Sequence, residues 1–342
     1  MRCEAITAYS AAREALQGCF AQCSCRFVDL FSGSAHPLRA YSCDAAALCE
    51  AGILEVSGGE ARSTYPMVAF DGLFLRCDAP STPLIDRVFP LQDDESLLLA
   101  TWAEAGKGES VLEIGTGAGA AALRLAAAGA GKVLATDVNP RVREFLTFNA
   151  ELNGLAGRVE YVNCDVFSGL EGERFDVIVS NPPFVPVPSE AGYFTHSDGG
   201  PLGTAVLERI ATDWTEHLRP GGRLYGVALS LGSSLGFRIC DLFPNASVCP
   251  IYEPPFIGSD RLLTMFDWAE GFDRWRGVLT EAGYDRVGYF GIGGGSNGRE
   301  RLARLRQSVP EQRLRGSMTP WSECSWGMEA RLRRYRTRPR SR

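Results

Sequence analysis

Ser110-Val111-Leu112-Glu113-Ile114-Gly115-Thr116-Gly117-Ala118-Gly119-Ala120 is the stretch on which the fold turns. Its first five residues read as a short buried strand. Three alternating glycines follow, and the Ala/Leu-rich run 120–128 predicts a helix. Strand, glycine loop and helix together make a nucleotide site. Glycines let the backbone approach a ligand closely, and a helix N-terminus presents free N–H groups. Gly115-x-Gly117-x-x-Ala120 also fits a dinucleotide fingerprint, so the loop alone leaves the cofactor open.

Downstream, 132–136 reads as a second strand ending at Asp137. That acid lies about 20 residues beyond the loop, where a carboxylate takes a ribose hydroxyl pair. The next strand, 159–163, ends near Asp165, which is placed to accept from an adenine amino group. Either acid also suits a helix N-cap or a solvated strand end. The apolar run 175–179 is a further strand, and Ser180-Asn181-Pro182-Pro183-Phe184 follows it. Two prolines cannot continue a sheet, since each lacks an N–H and fixes φ. Asn181 is thus left at the carboxyl end of the strand, where open parallel sheets bind ligands. An amide oxygen, a free carbonyl and the flat face of Phe184 suit a planar –NH2 group. A plain strand-ending turn is the simpler alternative.

Taken together, these residues resemble the class I S-adenosylmethionine-dependent methyltransferases, in the branch that methylates planar nitrogens. Glu113-x-Gly115-x-Gly117-x-Gly119 is similar to that family's cofactor loop, with Thr116 inside it. Asp137 and Asp165 stand where its ribose and adenine acids stand. Asn181-Pro182-Pro183-Phe184 is similar to its [Asn/Asp]-Pro-Pro-[Tyr/Phe] motif. The resemblance covers residues 90–295 and implies S-adenosylmethionine as cofactor. It also implies a doubly wound, mostly parallel α/β sheet of Rossmann-like type. Asn181 and the Pro182 carbonyl would accept from the acceptor –NH2, with Pro183 stiffening the turn and Phe184 stacking on the planar group. A nicotinamide dehydrogenase explains the glycine loop equally well but not Asn181–Phe184.

Composition sets the outer limits. The 342 residues allow two domains, and 45% hydrophobic with 22% charged residues is ordinary for a globular chain. No run approaches the ~18 apolar residues of a membrane span, and Met1-Arg2-Cys3-Glu4 opens no signal-peptide pattern. Eleven irregularly spaced cysteines predict reduced thiols in a cytoplasmic protein. Formal charge is −6, with seven arginines and no acid in 331–342. The acidic remainder argues against a broad nucleic-acid footprint.

Three regions are expected. Residues 1–85 form a small α+β domain that presents substrate or serves as a packing platform. Its parts are a helix at 6–20, a short helix at 44–51 and a hairpin through Ser57-Gly58-Gly59-Glu60, in the manner of a winged helix. Cys19, Cys23, Cys25, Cys43 and Cys49 cluster here without a paired C-x-x-C knuckle, so no metal is expected. Residues 78–90, with Pro80, Pro83 and Pro90, read as a linker. The methyltransferase domain is expected over 86–295. Its entry segment, Pro90 to Glu95 with Asp93 and Asp94, is similar to that of the release-factor glutamine methyltransferases, although Leu91 replaces the arginine and Asp94 the threonine. Helices are expected at 96–105, 140–152, 204–218, 233–242 and 265–282, and strands at 224–230, 247–252 and 287–292. The Pro/Gly/Ser-rich stretch 185–200 is expected to be a lid, with His196 facing solvent rather than acting as a base. Gly293–Gly298 is expected to be flexible, and 296–342 a C-terminal extension ending in a solvated basic tail.

Function is then expected to be methyl transfer to an amide or exocyclic amine. The acceptor stays open among a protein glutamine, an RNA base and a small metabolite, the last by N- or O-methylation. A non-catalytic nucleic-acid- or partner-binding module on the same fold is the competing class. Oligomeric state is not encoded in any motif.

Overall fold

The computed structural model describes residues 2–21, 33–41, 44–91, 94–251 and 256–305. Cys23, Cys25, Cys43, Asp93 and the arginines of 331–342 lie outside them, as do the side chains of Asp94 and Glu95.

The chain begins with a small α+β module: α1 (Arg2–Ala21), β1 (Ala35–Pro37), α2 (Ala45–Glu50), β2 (Leu54–Ser57) and β3 (Glu60–Ser63). The strands pair in the order β1-β3-β2, and Gly58-Gly59 turns the wing. Asp44 caps α2, its carboxylate accepting from the Ala47 N–H at 3.1 Å. Leu16, Leu48, Ile53 and Met67 close a separate small core. A hairpin follows, β4 (Met67–Phe70) and β5 (Leu73–Arg76), and then α3 (Asp94–Trp102).

The main body contains β6 (Val111–Ile114), α4 (Ala120–Ala127), β7 (Val133–Asp137), α5 (Val142–Leu152), β8 (Val159–Asn163), β9 (Phe175–Ser180), α6 (Ala205–Asp213) and β10 (Leu218–Ser233). It ends with β11 (Gly236–Phe237), α7 (Arg238–Leu242), β12 (Ala246–Pro250), β13 (Phe256–Gly258), α8 (Asp260–Leu263), α9 (Phe272–Glu281) and β14 (Arg286–Gly295). The sheet runs β12-β14-β10-β9-β6-β7-β8. β6 to β10 are mutually parallel, and β14 is antiparallel between β10 and β12. This is the doubly wound, mostly parallel sheet the strand–helix alternation predicts.

Register sets the site. Ile114 pairs with Ser180 on one side and Thr136 on the other, and Asp137 pairs with Asn163. Gly115, Asp137 and Asn181 therefore leave the sheet side by side at its carboxyl end. Order reverses between β6 and β9, the crevice where such sheets take ligands.

Several expected elements are redrawn. The helix at 204–218 stops at Asp213, because residues 214–217 turn into the long strand β10. At 233–242, a tight pairing of Gly232 with Phe237 precedes a five-residue helix. At 265–282, Gly271 takes φ 75 and starts a separate helix, α9. Gly293 to Gly295 are not flexible but belong to β14. A Cβ on Gly294 would lie 2.7 Å from the Trp214 ring, so the glycine makes room for that indole. Residues 298–305 are helical, and Leu302 and Leu305 join the main core. The supposed linker 78–90 is folded against the catalytic sheet. Asp78, Arg87 and Val88 are buried there, and Arg141 pairs with Asp78 at 2.8 Å. The expectation of reduced thiols holds for Cys49, Cys77, Cys164, Cys240 and Cys249 but not for Cys19, which is disulfide-bonded. Five cysteines fall between residues 19 and 49, a density that brings thiols within reach of one another. Among the described residues no helix is long and apolar enough to cross a membrane.

Candidate active site

A crevice at the carboxyl ends of β6, β7, β8 and β9 holds Gly115, Thr116, Gly117, Asp137, Asp165, Asn181, Pro182, Pro183 and Phe184 together. Glu113 and Gly119, which the sequence also singled out, are not on its surface. Glu113 lies beneath the loop. Its Oε2 accepts from Thr116 Oγ1 at 2.7 Å and from the Ala122 N–H at 2.8 Å. It thereby joins the loop to α4, and burial pushes its carboxyl up to about 7. Gly119 is the N-cap of α4 at φ 86, and a Cβ there would strike Leu146. Both shape the loop rather than face a ligand.

Asp137 faces the crevice from the end of β7. One oxygen accepts from the Gly117 N–H at 3.0 Å and the other from the Asn139 N–H at 2.9 Å. Burial outweighs these donors and raises its carboxyl to about 6. Asp165 is more exposed, and its Oδ1 accepts from Arg209 Nη1 at 2.7 Å. Val166 beside it is held at φ 58, a left-handed conformation rare for a β-branched residue. Backbone strain of this kind gathers at functional sites.

Asn181 is the polar centre of the other end. Its Nδ2 donates to Ser96 Oγ at 3.0 Å. Its Oδ1 is buried and accepts from no donor among the described residues. A buried acceptor left empty is costly, and native structures seldom tolerate one without a function. Phe184 sits edge-on to Tyr289, with ring centres 5.6 Å apart.

Residues 185–200 form an ordered wall. Val185 and Asp198 bridge, and the Val187 N–H donates to Gly200 O at 2.9 Å. Tyr193 and Phe194 are core residues, while Thr195, His196 and Ser197 line the crevice. His196 is therefore not a solvent-facing loop residue. Arg87 Nε donates to its Nε2 at 3.0 Å, and Ser197 Oγ lies 2.7 Å from its Nδ1. A guanidinium only donates, so Nε2 must be the bare nitrogen and the ring neutral. Burial, then the charge of Arg87, hold its pKa well below the usual imidazole range. With its lone pair engaged, His196 is not a free base. Trp268 packs against the core, and Phe272 and Trp275 belong to it.

Arg87, Ser96, Val138, Asn139 and Val166 are site residues that the sequence did not single out. None belongs to a spaced motif. Ser96 alone carries a signal, since it opens the helix expected directly after the entry segment Pro90 to Glu95.

The crevice fits S-adenosylmethionine. Two carboxylates, Asp137 and Asp165, and the unpartnered Asn181 oxygen line it, and glycines keep its floor low.

Residues 91–234 match the family model described as methyltransferase small domain. The release factor glutamine methyltransferase of Moorella thermoacetica is 32% identical over 207 residues, 55% of this chain and 71% of that protein. A Methanocaldococcus jannaschii protein, named as a candidate protein N5-glutamine methyltransferase, is 32% identical over 139 residues, 40% of this chain and 68% of its own. Among solved structures, the Thermus thermophilus 16S rRNA N2 G1207 methyltransferase in complex with AdoMet and guanosine aligns at 19% identity with a TM-score of 0.42. That alignment covers 73% of this chain and 60% of the other. The chain belongs to the methyltransferase small-domain family and is a class I S-adenosylmethionine-dependent N-methyltransferase.

Proposed function

We propose that the chain methylates the side-chain amide nitrogen of a glutamine in a protein acceptor. The observation that carries this reading is the buried, unfilled Asn181 Oδ1. It is an acceptor oriented for one N–H of a planar –NH2, and the carbonyl of Pro182 can take the other. Two such bonds in the plane of the amide leave the nitrogen lone pair perpendicular to it. They also favour the positive charge that grows on nitrogen. S-adenosylmethionine, when bound, supplies a methyl group on a positively charged sulfur. Gly115, Thr116, Gly117, Asp137 and Asp165 would hold it, and Glu113 and Gly119 would keep the loop in shape. Phe184, braced by Tyr289, offers the planar surface, and Pro183 fixes the turn. The names of the two relatives support glutamine over an RNA base, as does the acidic body. Residues 1–85 would present the acceptor, 86–295 catalyse, and 296–342 extend the domain. We assign the chain to the cytoplasm on the free thiols of Cys49, Cys77, Cys164, Cys240 and Cys249, which outnumber Cys19, the one bridged cysteine among those described.

The test is methyl transfer from labelled S-adenosylmethionine to a purified release factor, with total RNA and a small-molecule extract of the source cell as separate arms. Label is expected on glutamine of the protein. Asn181→Ala should lower kcat by about 10²-fold while leaving cofactor affinity nearly unchanged. Asn181-dependent label confined to RNA or small molecules would replace glutamine with that acceptor.

A further inference from the structure

β5 pairs with β4 along one edge only, in the register Ala69 with Phe74 and Val68 with Leu75. An open edge leaves the N–H and C=O of alternate residues without ladder partners. Here those residues are Phe74 and Arg76, and two asparagine side chains serve them, Asn149 of α5 and Asn153 at its C-cap. Asn149 Oδ1 accepts from the Arg76 N–H at 2.8 Å, and its Nδ2 donates to Arg76 O at 3.0 Å. Asn153 Oδ1 accepts from the Phe74 N–H at 2.9 Å, and its Nδ2 donates to Phe74 O at 2.7 Å. The spacings agree, since four helical residues rise ~6 Å and two strand residues ~6.6 Å. The two amides thus act as two rungs of a missing third strand.

The rungs differ in their remaining contact. Asn153 Nδ2 also donates to Asn149 O at 2.7 Å, in the last turn of the helix it caps. Asn149 Nδ2 instead donates to Ala118 O at 2.9 Å, in the glycine loop that walls the crevice. Asn149 is fully buried. One side chain therefore fixes both a strand edge and the cofactor loop. The hairpin it holds shares the N-terminal core through Met67 and Phe74, and α5 enters that core with Phe148 and Leu152.

We infer that Asn149 is a positioning residue for the cofactor loop, and that through it cofactor binding is coupled to the seating of the β4–β5 hairpin and the N-terminal module. A ligand that orders Ala118 orders the Asn149 amide, and so the hydrogen bond from the Arg76 N–H. Linkage makes the effect reciprocal: a well-seated hairpin strengthens cofactor binding by the same factor.

Amide exchange reads this directly, because the Arg76 and Phe74 N–H groups are themselves the donors. Exchange is followed in the full chain with and without saturating S-adenosylhomocysteine. The dissociation constant of that compound is measured for wild type, Asn149→Ala and Asn153→Ala. Exchange at Arg76 should slow by about tenfold on binding. Asn149→Ala should weaken binding by about tenfold and abolish the slowing. Asn153→Ala, which removes a comparable set of bonds, should lower the melting temperature similarly yet leave the dissociation constant within about twofold. Unchanged exchange at Arg76, or equal weakening by the two variants, would overturn the inference. Should Asn149→Ala not fold, the exchange measurement on the unaltered chain decides alone.

Discussion

Ser96 anchors the Asn181 side chain at the crevice. Its hydroxyl oxygen takes the Nδ2 donor at 3.0 Å, so the carbonyl end is the one left open. Without that hydroxyl the amide can rotate and present N–H to an incoming –NH2, donor against donor. Ser96→Ala should lower kcat by about tenfold with little change in cofactor affinity, and Ser96→Thr should restore activity. Steady-state kinetics on the two variants checks this, and equal kcat in wild type and Ser96→Ala would remove Ser96 from the role.

Glu113 makes stability depend on pH. A carboxyl that rises from its ordinary 4.5 to about 7 on folding takes up a proton as the chain folds. Stability should therefore fall as pH rises through that window and level off above it. The difference is about 3 kcal/mol. Asp137, moving from 3.8 to about 6, adds to the fall over a lower window. Glu113→Gln keeps an oxygen for Thr116 and Ala122. Its melting temperature should be flatter between pH 5 and 8 and, at pH 8, about 5 °C or more above wild type. Parallel melting profiles for the two proteins would contradict the assignment.

Asp165 and Arg209 form a pair in which each side chain is about half exposed, at 54% and 47%. Such pairs contribute about 0–1 kcal/mol. Arg209→Ala should hardly move the melting temperature and should not weaken S-adenosylhomocysteine. Asp165→Asn should weaken it severalfold, since the carboxylate would lose its charge toward an amino donor. Calorimetric titration of both variants distinguishes a ligand-holding acid from a solvated one.

Val166 should invert a familiar ranking. At φ 58 an alanine keeps the backbone penalty while losing the side chain, whereas glycine relieves it. Val166→Gly is therefore expected to melt at or above Val166→Ala, and both should bind cofactor more weakly than wild type. The reverse order of melting temperatures would show that the strain is negligible.

The sequence carried the parallel sheet and its motifs because those signals are local. β-branched runs, alternating glycines and a Pro-Pro stop each act through neighbouring residues. What it concealed depended on distant partners. Arg87 sits in a proline-rich stretch with linker composition, and Phe194 and His196, more than a hundred residues away, give it a place in the wall. Gly293 to Gly295 have the composition of a tether, yet pairing with β10 and β12 makes them strand, and Gly294 leaves room for Trp214. Over 265–282 the aromatic residues hold a helical spacing on both sides of Gly271, whose positive φ divides the segment. His196 looked solvent-facing because polar loops usually are.

Phe184 rests on Tyr289, which β14 brings into the sheet beside β10. The order of synthesis then matters. Residues 111–165, which carry the cofactor end of the crevice, emerge from the ribosome well before residue 289. The contact that braces Phe184 waits for the last strand. Tyr289 pairs with Leu229 of β10, 60 positions earlier in the chain. A chain that stops short of β14 would therefore lack the ring that braces Phe184.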